Sequence, residues 1–309
     1  MLTAFWEAAG NKLADRWATA SVPALVFWLA GLAAFARHRG GLHTLSTQTG
    51  WLDRQTPATQ VAVILTVLLA VAASGIVMNR LATPALRLLE GYWPAWAGPL
   101  HHRLTDRLAR RAAAEASAWQ QAYNRAHEST APTAEDLATY TRLERRRRRR
   151  PAAPAYFMPT PIGNILRAAE RRPIDKYGLD TVALWPRIWT LLPDAIREEI
   201  LTIRASLDTA VTTAMWGLLF CAFAPFTYLA VPIGLGVAAL TIVVTVPTRA
   251  QLFGDLIETA YDLHRAALYQ QLRWPPPTNP HEERACGQRL TAYLWRGSDD
   301  TTPTFTSPT

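Results

Sequence analysis

TAVTTAMWGLLFCAFAPFTYLAVPIGLGVAALTIVVTVPT, Thr209 to Thr248, is a run of forty residues without a charged side chain, closed by Asp208 and Arg249. One membrane-spanning helix needs about 20 predominantly apolar residues, so the run has room for two spans and a tight turn. The turn is expected between Pro225 and Pro232, where AFAPFTYLAVP supplies two prolines and an aromatic pair. Proline removes a backbone donor and clashes with the preceding helical turn, and tyrosine favours the bilayer interface.

Two further uncharged stretches lie upstream. Trp17 to Ala36 is stopped by Arg37, His38 and Arg39, and Ala58 to Asn79 is closed by Arg80. The bland alternative, a buried hairpin in a soluble core, is disfavoured because four uncharged stretches of this length are rare in soluble domains. The fold class expected is therefore all-α and integral to the membrane, with four transmembrane helices in two hairpins and helical cytoplasmic regions.

The organisation follows as a cytoplasmic N-terminal helix (1–16), a first transmembrane hairpin (17–80) and a cytoplasmic helical domain (81–206) holding an Arg-rich flexible linker (145–160). A second transmembrane hairpin (207–248), C-terminal cytoplasmic helices (249–297) and a disordered Thr/Ser/Pro-rich tail (298–309) complete it. Glu7, Lys12, Asp15 and Arg16 precede the first apolar stretch, a poor start for a signal peptide, so the first span is expected to be retained. Basic residues near span ends mark the cytoplasmic side. With the N-terminus inside, the inner flanks hold Lys12, Arg16, Arg80, Arg87, Arg187, Arg197, Arg204, Arg249 and Arg265, and the outer flanks hold Arg37, Arg39 and Arg54. Both termini are thus expected in the cytoplasm. Lys12 and Lys176 are the only lysines among 32 basic residues. That skew, with the abundant alanine, points to a bacterial genome of high GC content and to the inner membrane.

The net charge of +8 owes six units to Arg145, Arg146, Arg147, Arg148, Arg149 and Arg150. Anionic lipid is the partner expected for this run, since each basic residue near the surface contributes roughly 1 kcal/mol; a solvated linker without a partner is the competing reading. Nucleic acid is disfavoured, because no aromatic residues interleave with the arginines. Trp17, Trp51, Trp93 and Trp96 are candidate interface anchors. The stretch from Leu86 to Trp96 is expected to form a helix resting at the interface, or to pack against neighbouring helices. Beyond it, Leu100, Leu104, Leu108 and Ala112 recur at helical spacing among Arg103, Arg107, Arg110 and Arg111.

Helix signals punctuate the remainder. Thr160 and Asn279 are candidate caps, each followed by proline at the first helical position. Gly297 is a candidate C-terminal stop. The second half of the chain, PTPIGNILRAAERRPIDKYGLDTVALWPRIWTLLPD (159–194) and LIETAYDLHRAALYQQLRWPPPTNPHEER (256–284), resembles a family of uncharacterised multi-pass membrane proteins of bacteria. The resemblance implies the membrane class and no particular activity. The layout of four spans with cytoplasmic helices between spans two and three also resembles the bestrophin anion channels, in layout alone, without their neck or calcium-clasp motifs.

Chemistry is sparsely signalled. His101 and His102 are adjacent and cannot chelate like an i, i+4 pair, and no HExxH, CxxC, GxSxG or phosphate-loop pattern occurs. Cys221 and Cys286 form neither a disulfide framework nor a zinc spacing. Asp255, Glu258 and Asp262 fall at i, i+3 and i+7 with His264 close by, a candidate cation or proton site weighed against a solvated acidic face that pairs with Arg265 or the basic middle segment. The four expected spans hold no Asp, Glu, Lys, Arg or His, which argues against an ion-coupled transporter. Ser74, Thr209, Thr212 and Thr213 could line a pore or simply pack helices. No catalytic residue and no cofactor is expected. The leading expectation is a non-enzymatic membrane scaffold or assembly component acting through its cytoplasmic helices, with a second copy or a cytoplasmic protein as partner; the alternative is an oligomeric pore or channel.

Overall fold

The structure is a computed structural model that describes residues 22–39, 54–128 and 131–306. Every regular element among these residues is helical. They are α1 (Val22–His38), α2 (Pro57–Glu90), α3 (Gly98–His127), α4 (Ala134–Arg148), α5 (Pro161–Tyr177), α6 (Thr181–Leu191), α7 (Asp194–Phe220), α8 (Ala230–Leu240), α9 (Val246–Gln271) and α10 (Pro280–Arg296). A π-helical turn, Thr241–Thr245, joins α8 to α9.

Among the described residues three stretches are, by length and composition, long and apolar enough to cross a membrane, lying within Pro57–His127, Asp194–Phe223 and Ala230–Gln271. Of the first expected span the described residues hold α1, an apolar helix shorter than these three. Its anticipated start at Trp17 lies outside the described residues, as do the N-terminal helix 1–16 and Trp51.

The chain divides into two compact units, Met1–Leu86 with Leu207–Val246 and Arg87–Ser206 with Pro247–Thr309. The first unit is built on aromatic and small-residue contacts. Ala24, Met78 and Trp216 share a buried cluster, and Trp28 Nε1 donates to Ser74 Oγ at 3.2 Å, so α1 and α2 run antiparallel. Phe27 meets the Trp216 ring at 4.7 Å and Phe35 meets Phe226 at 5.3 Å, so α1 runs in the same direction as the end of α7. The chain then turns through Cys221–Phe223 and returns as α8. α7 and α8 approach at Gly217 and Gly234, where a Cβ added to Gly234 would lie 2.5 Å from the Gly217 carbonyl oxygen. Close approach of this kind is how helices associate where lipid offers no hydrophobic drive. The outward faces are apolar: Leu65, Leu68, Leu69, Leu235, Leu240 and Val243 are all exposed.

The second unit has a conventional core. Leu184, Ile188 and Leu192 pack with Ile200 of α7, Tyr261 and Leu268 of α9, and Leu290 of α10. Its local signals follow the sequence. The Thr160 side chain accepts from Gly163 N and opens α5 with Pro161 at its first turn. The Asn279 side chain accepts from Glu282 N and opens α10. Gly178, at φ 72, stops α5 in the left-handed conformation that glycine adopts without a Cβ penalty. Thr160 also ties in α2: its hydroxyl donates to the Leu89 carbonyl at 2.6 Å, a carbonyl of the last turn that the helix cannot satisfy itself. Asn164, buried, takes Met158 N–H at 2.8 Å and donates to the Met158 and Thr160 carbonyls at 2.9 Å each.

Two expectations differ from the structure. Arg145 to Arg148 complete α4 rather than opening a flexible linker, because Trp119, Glu115 and Glu258 hold them in place. The tail expected to be disordered is fastened through Thr306, whose N–H donates to the Arg273 carbonyl at 2.9 Å, while the Phe305 ring packs 6.0 Å from Tyr293. Residues 307–309 lie outside the described residues.

Replacing Gly234 with leucine is expected to force α7 and α8 apart and to destabilise the hairpin by about 1–3 kcal/mol. Gly236→Leu, at a position where an added Cβ meets nothing within 4 Å, serves as the control. Thermal melts of the purified protein in detergent check the pair; equal melting temperatures would remove the close-approach argument.

Candidate functional site

The densest group of ionisable side chains joins α4, α5 and α9. The acidic face of α9 presents Asp255, Glu258 and Asp262, and α5 presents Arg172 and Lys176 one turn apart. Arg172 Nη1 reaches Glu258 at 2.6 Å and Asp255 at 3.1 Å; Lys176 Nζ reaches Glu258 at 2.6 Å and Asp262 at 3.3 Å. The pairing advances along both helices together, so they run in the same direction here. Tyr177 OH donates to Asp262 at 2.6 Å.

The end of α4 closes the cluster. Arg148 Nη2 lies 3.3 Å from Glu258, the Arg148 carbonyl accepts from Arg172 Nη2, and Arg149 Nε donates to Gln251 Oε1 at 2.6 Å. On the far side Arg265 donates to Glu283 of α10 at 2.7 Å and lies over the Tyr177 ring at 4.2 Å. Glu258 is thus the hub, with three cations around one carboxylate and a side chain only 8% exposed. Burial alone would raise its pKa; the hydrogen bond from Lys176 and the charge of Arg172 outweigh that and hold the carboxyl below its usual range. For Lys176 burial works downward, and the bond to Glu258 with the charges of Glu258 and Asp262 raises its pKa instead. Burial, then the bond to Asp262, raises Tyr177.

The three acids of the candidate cation or proton site therefore do come together, but each is already met by a guanidinium or an ammonium. His264 is not part of the group. It lies two positions beyond Asp262, which on a helix is a different face, and its buried Nε2 has no hydrogen-bond partner. Among the described residues no three His, Cys, Asp or Glu side chains are grouped so that they could hold a metal ion. No family model, curated protein or solved structure matches the chain. What this site does must come from its own geometry.

Most of the arginine run is engaged within the unit. Arg150 pairs with Glu115 at 3.0 Å and Arg146 with the same carboxylate at 3.9 Å. Arg147 lies over the Trp119 ring at 3.8 Å, and Trp119 Nε1 donates to Glu144 at 2.7 Å. These contacts rim a cleft of about 490 Å³ floored by Ala109, Ala112 and Ala116, and its charged groups face one another rather than an open centre. Of the candidate anchors, Trp93 is half-buried, its Nε1 donating to the Leu88 carbonyl at 2.8 Å, whereas Trp96 is 84% exposed.

Sequence reasoning did not single out Glu90. Burial raises its pKa, and the charges of Arg204, Arg87 and Arg167 only partly oppose that. The signal was weak because the arginines that face it come from three separate segments.

Glu258→Gln is expected to leave Arg172, Lys176 and Arg148 without their shared counter-charge and to destabilise the unit by about 3 kcal/mol. Since the Glu258 pKa is depressed on folding, its contribution is full above the ordinary carboxylate range and is lost as pH falls through that range and below it. The raised pKa of Lys176 costs nothing until strongly alkaline pH. Melting temperature against pH should fall at the acid end in the unaltered protein, with part of that fall missing in the variant. Identical acid limbs would show that Glu258 is not the hub.

Proposed function

We propose that the protein is a non-enzymatic, multi-pass membrane scaffold whose membrane helices anchor a braced helical domain used for assembly. The observation that carries this reading is the state of the acid–base cluster. Catalytic and ion-binding carboxylates need an open coordination or proton-accepting position, and Asp255, Glu258 and Asp262 are instead spent on cross-linking α5, α9 and α4. The cluster works as a brace.

The membrane helices support four spans, with α1 as the described part of the first. α1 lies alongside α2 and the end of α7, and its outward residues Val22, Val26, Leu29 and Leu32 are exposed in the manner of a lipid-facing helix. Because α1 is antiparallel to α2 and runs with α7, the chain enters the membrane from one side at both hairpins. With the excess of arginine at those ends, this agrees with cytoplasmic termini and a bacterial inner-membrane location. The hydroxyls that could line a pore favour packing: Thr212 and Thr213 donate to the Thr209 carbonyl at 2.9 and 2.8 Å, and Ser74 to the Val71 carbonyl at 2.7 Å.

Liposomes carrying the purified protein are expected to hold potassium and chloride gradients as long as protein-free liposomes do, at neutral and at acidic pH. Crosslinking in native membranes should trap one discrete larger species, and Glu258→Gln should weaken it. A protein-dependent flux would overturn the scaffold in favour of a pore, and a chain that remains monomeric under crosslinking would overturn it as well.

A further inference from the structure

α3 is a 30-residue helix of which α4 accompanies only the second part. Their ion pairs run from Glu115 with Arg146 to Arg125 with Asp136. The first part of α3 carries Arg103, Arg107, Arg110 and Arg111, at i, i+4, i+7 and i+8, which places them along one side of the helix. From Gly91 to Ala114 these four arginines are accompanied by a single acid, Asp106. Among the described residues none of the four is in an ion pair; Arg110 Nε donates to the backbone carbonyl of Asp106. This contrasts with Arg146, Arg148 and Arg150, which have carboxylates beside them.

Just before the arginines the surface is apolar. Leu88, Tyr92 and Leu100 are each about half exposed, and Trp96, in the short helical turn Ala95–Ala97, stands 84% clear of the protein. Tyr92 is held at its hydroxyl by Arg167 Nη2 at 3.0 Å, while Leu88, Trp96 and Leu100 keep their apolar side chains exposed. An exposed Trp and Leu beside unopposed arginines is the pairing of groups that sits at a bilayer surface, with the apolar rings among upper acyl chains and the cations at phosphate level.

We propose that residues 88–111 form a docking surface for anionic phospholipid headgroups, with Trp96 and Leu100 entering the interface and Arg103, Arg107, Arg110 and Arg111 pairing with phosphates. The proposal rests on the membrane reading above and moves the lipid contact away from the Arg145–Arg150 run. A nucleic acid would use the arginines but leave Trp96 and Leu100 in water, and an acidic protein would do so without regard to the lipid present.

The test uses the full chain in nanodiscs of phosphatidylcholine with or without phosphatidylglycerol. Leu100→Cys, in a Cys221→Ser, Cys286→Ser background, carries an environment-sensitive NBD label, and circular dichroism confirms that each variant folds. The label is expected to shift to the blue and to be quenched by interface-depth nitroxide lipids, at least twofold more strongly with phosphatidylglycerol present. Replacing the four arginines with glutamine should abolish that increment. An unquenched label in a protein that stays in the bilayer through an alkaline wash overturns the docking surface alone, and quenching indifferent to both lipid charge and the arginines overturns the headgroup contact. A protein released by the wash would instead sink the membrane reading on which the proposal rests.

Discussion

A hydrocarbon layer offers no water to a backbone N–H or C=O, so a chain that enters it must satisfy those groups within its own helices. In the membrane reading proposed above, the run from Thr209 to Thr248 answers that constraint, and the first unit is arranged around it. α7 and α8 carry their hydrogen bonds internally and meet at Gly217 and Gly234, where the absence of side chains lets the backbones approach. Around that contact Phe27, Trp216 and Phe223 fill the space with rings, the Phe27 centroid lying 4.7 Å from Trp216 and 5.1 Å from Phe223. Hydroxyl groups that would be costly in lipid are returned to carbonyls of their own helix.

The second unit solves a different problem by different means. Its helices converge with acids and bases facing each other. A carboxylate buried beside three cations is costly to desolvate, and such an arrangement contributes more to register than to raw stability. Glu258 fixes where α5 lies along α9, and Arg148 fixes where α4 ends. The apolar core formed by Leu184, Ile188, Tyr261 and Leu290 supplies the burial that holds the helices together. A site whose charges are matched this closely has little left for a substrate, and the proposed scaffold role rests on that match.

Much of the local structure was legible in the sequence, because helix caps and apolar helical stretches are local. Thr160-Pro161 and Asn279-Pro280 stand where helices begin, whereas the return of the hairpin, from Cys221 to Leu229, begins before the segment expected between Pro225 and Pro232 and overlaps only its first part. The acidic face of α9 was legible as a periodicity. Its partners were not, since Arg148 and Arg172 lie 110 and 86 residues from Glu258 along the chain and nothing local reports such a meeting. For the same reason the arginine run read as a linker: its high charge suggested solvent, and the carboxylates that hold it are far away in sequence. The fastening of the tail depends on Phe305 finding Tyr293 and Trp274, again a distant contact, and the π-helical turn at Thr241–Thr245 left no compositional trace.

The direct measurement is side-specific labelling of single cysteines in intact cells, on a Cys221→Ser, Cys286→Ser background. The proposed topology predicts that Tyr228→Cys, in the turn of the second hairpin and widely exposed, reacts with a membrane-impermeant maleimide from outside. Arg187→Cys and Arg249→Cys should react only after the membrane is opened. Labelling of Tyr228→Cys and Arg249→Cys from the same side would contradict the hairpin and, with it, the arrangement of everything it anchors.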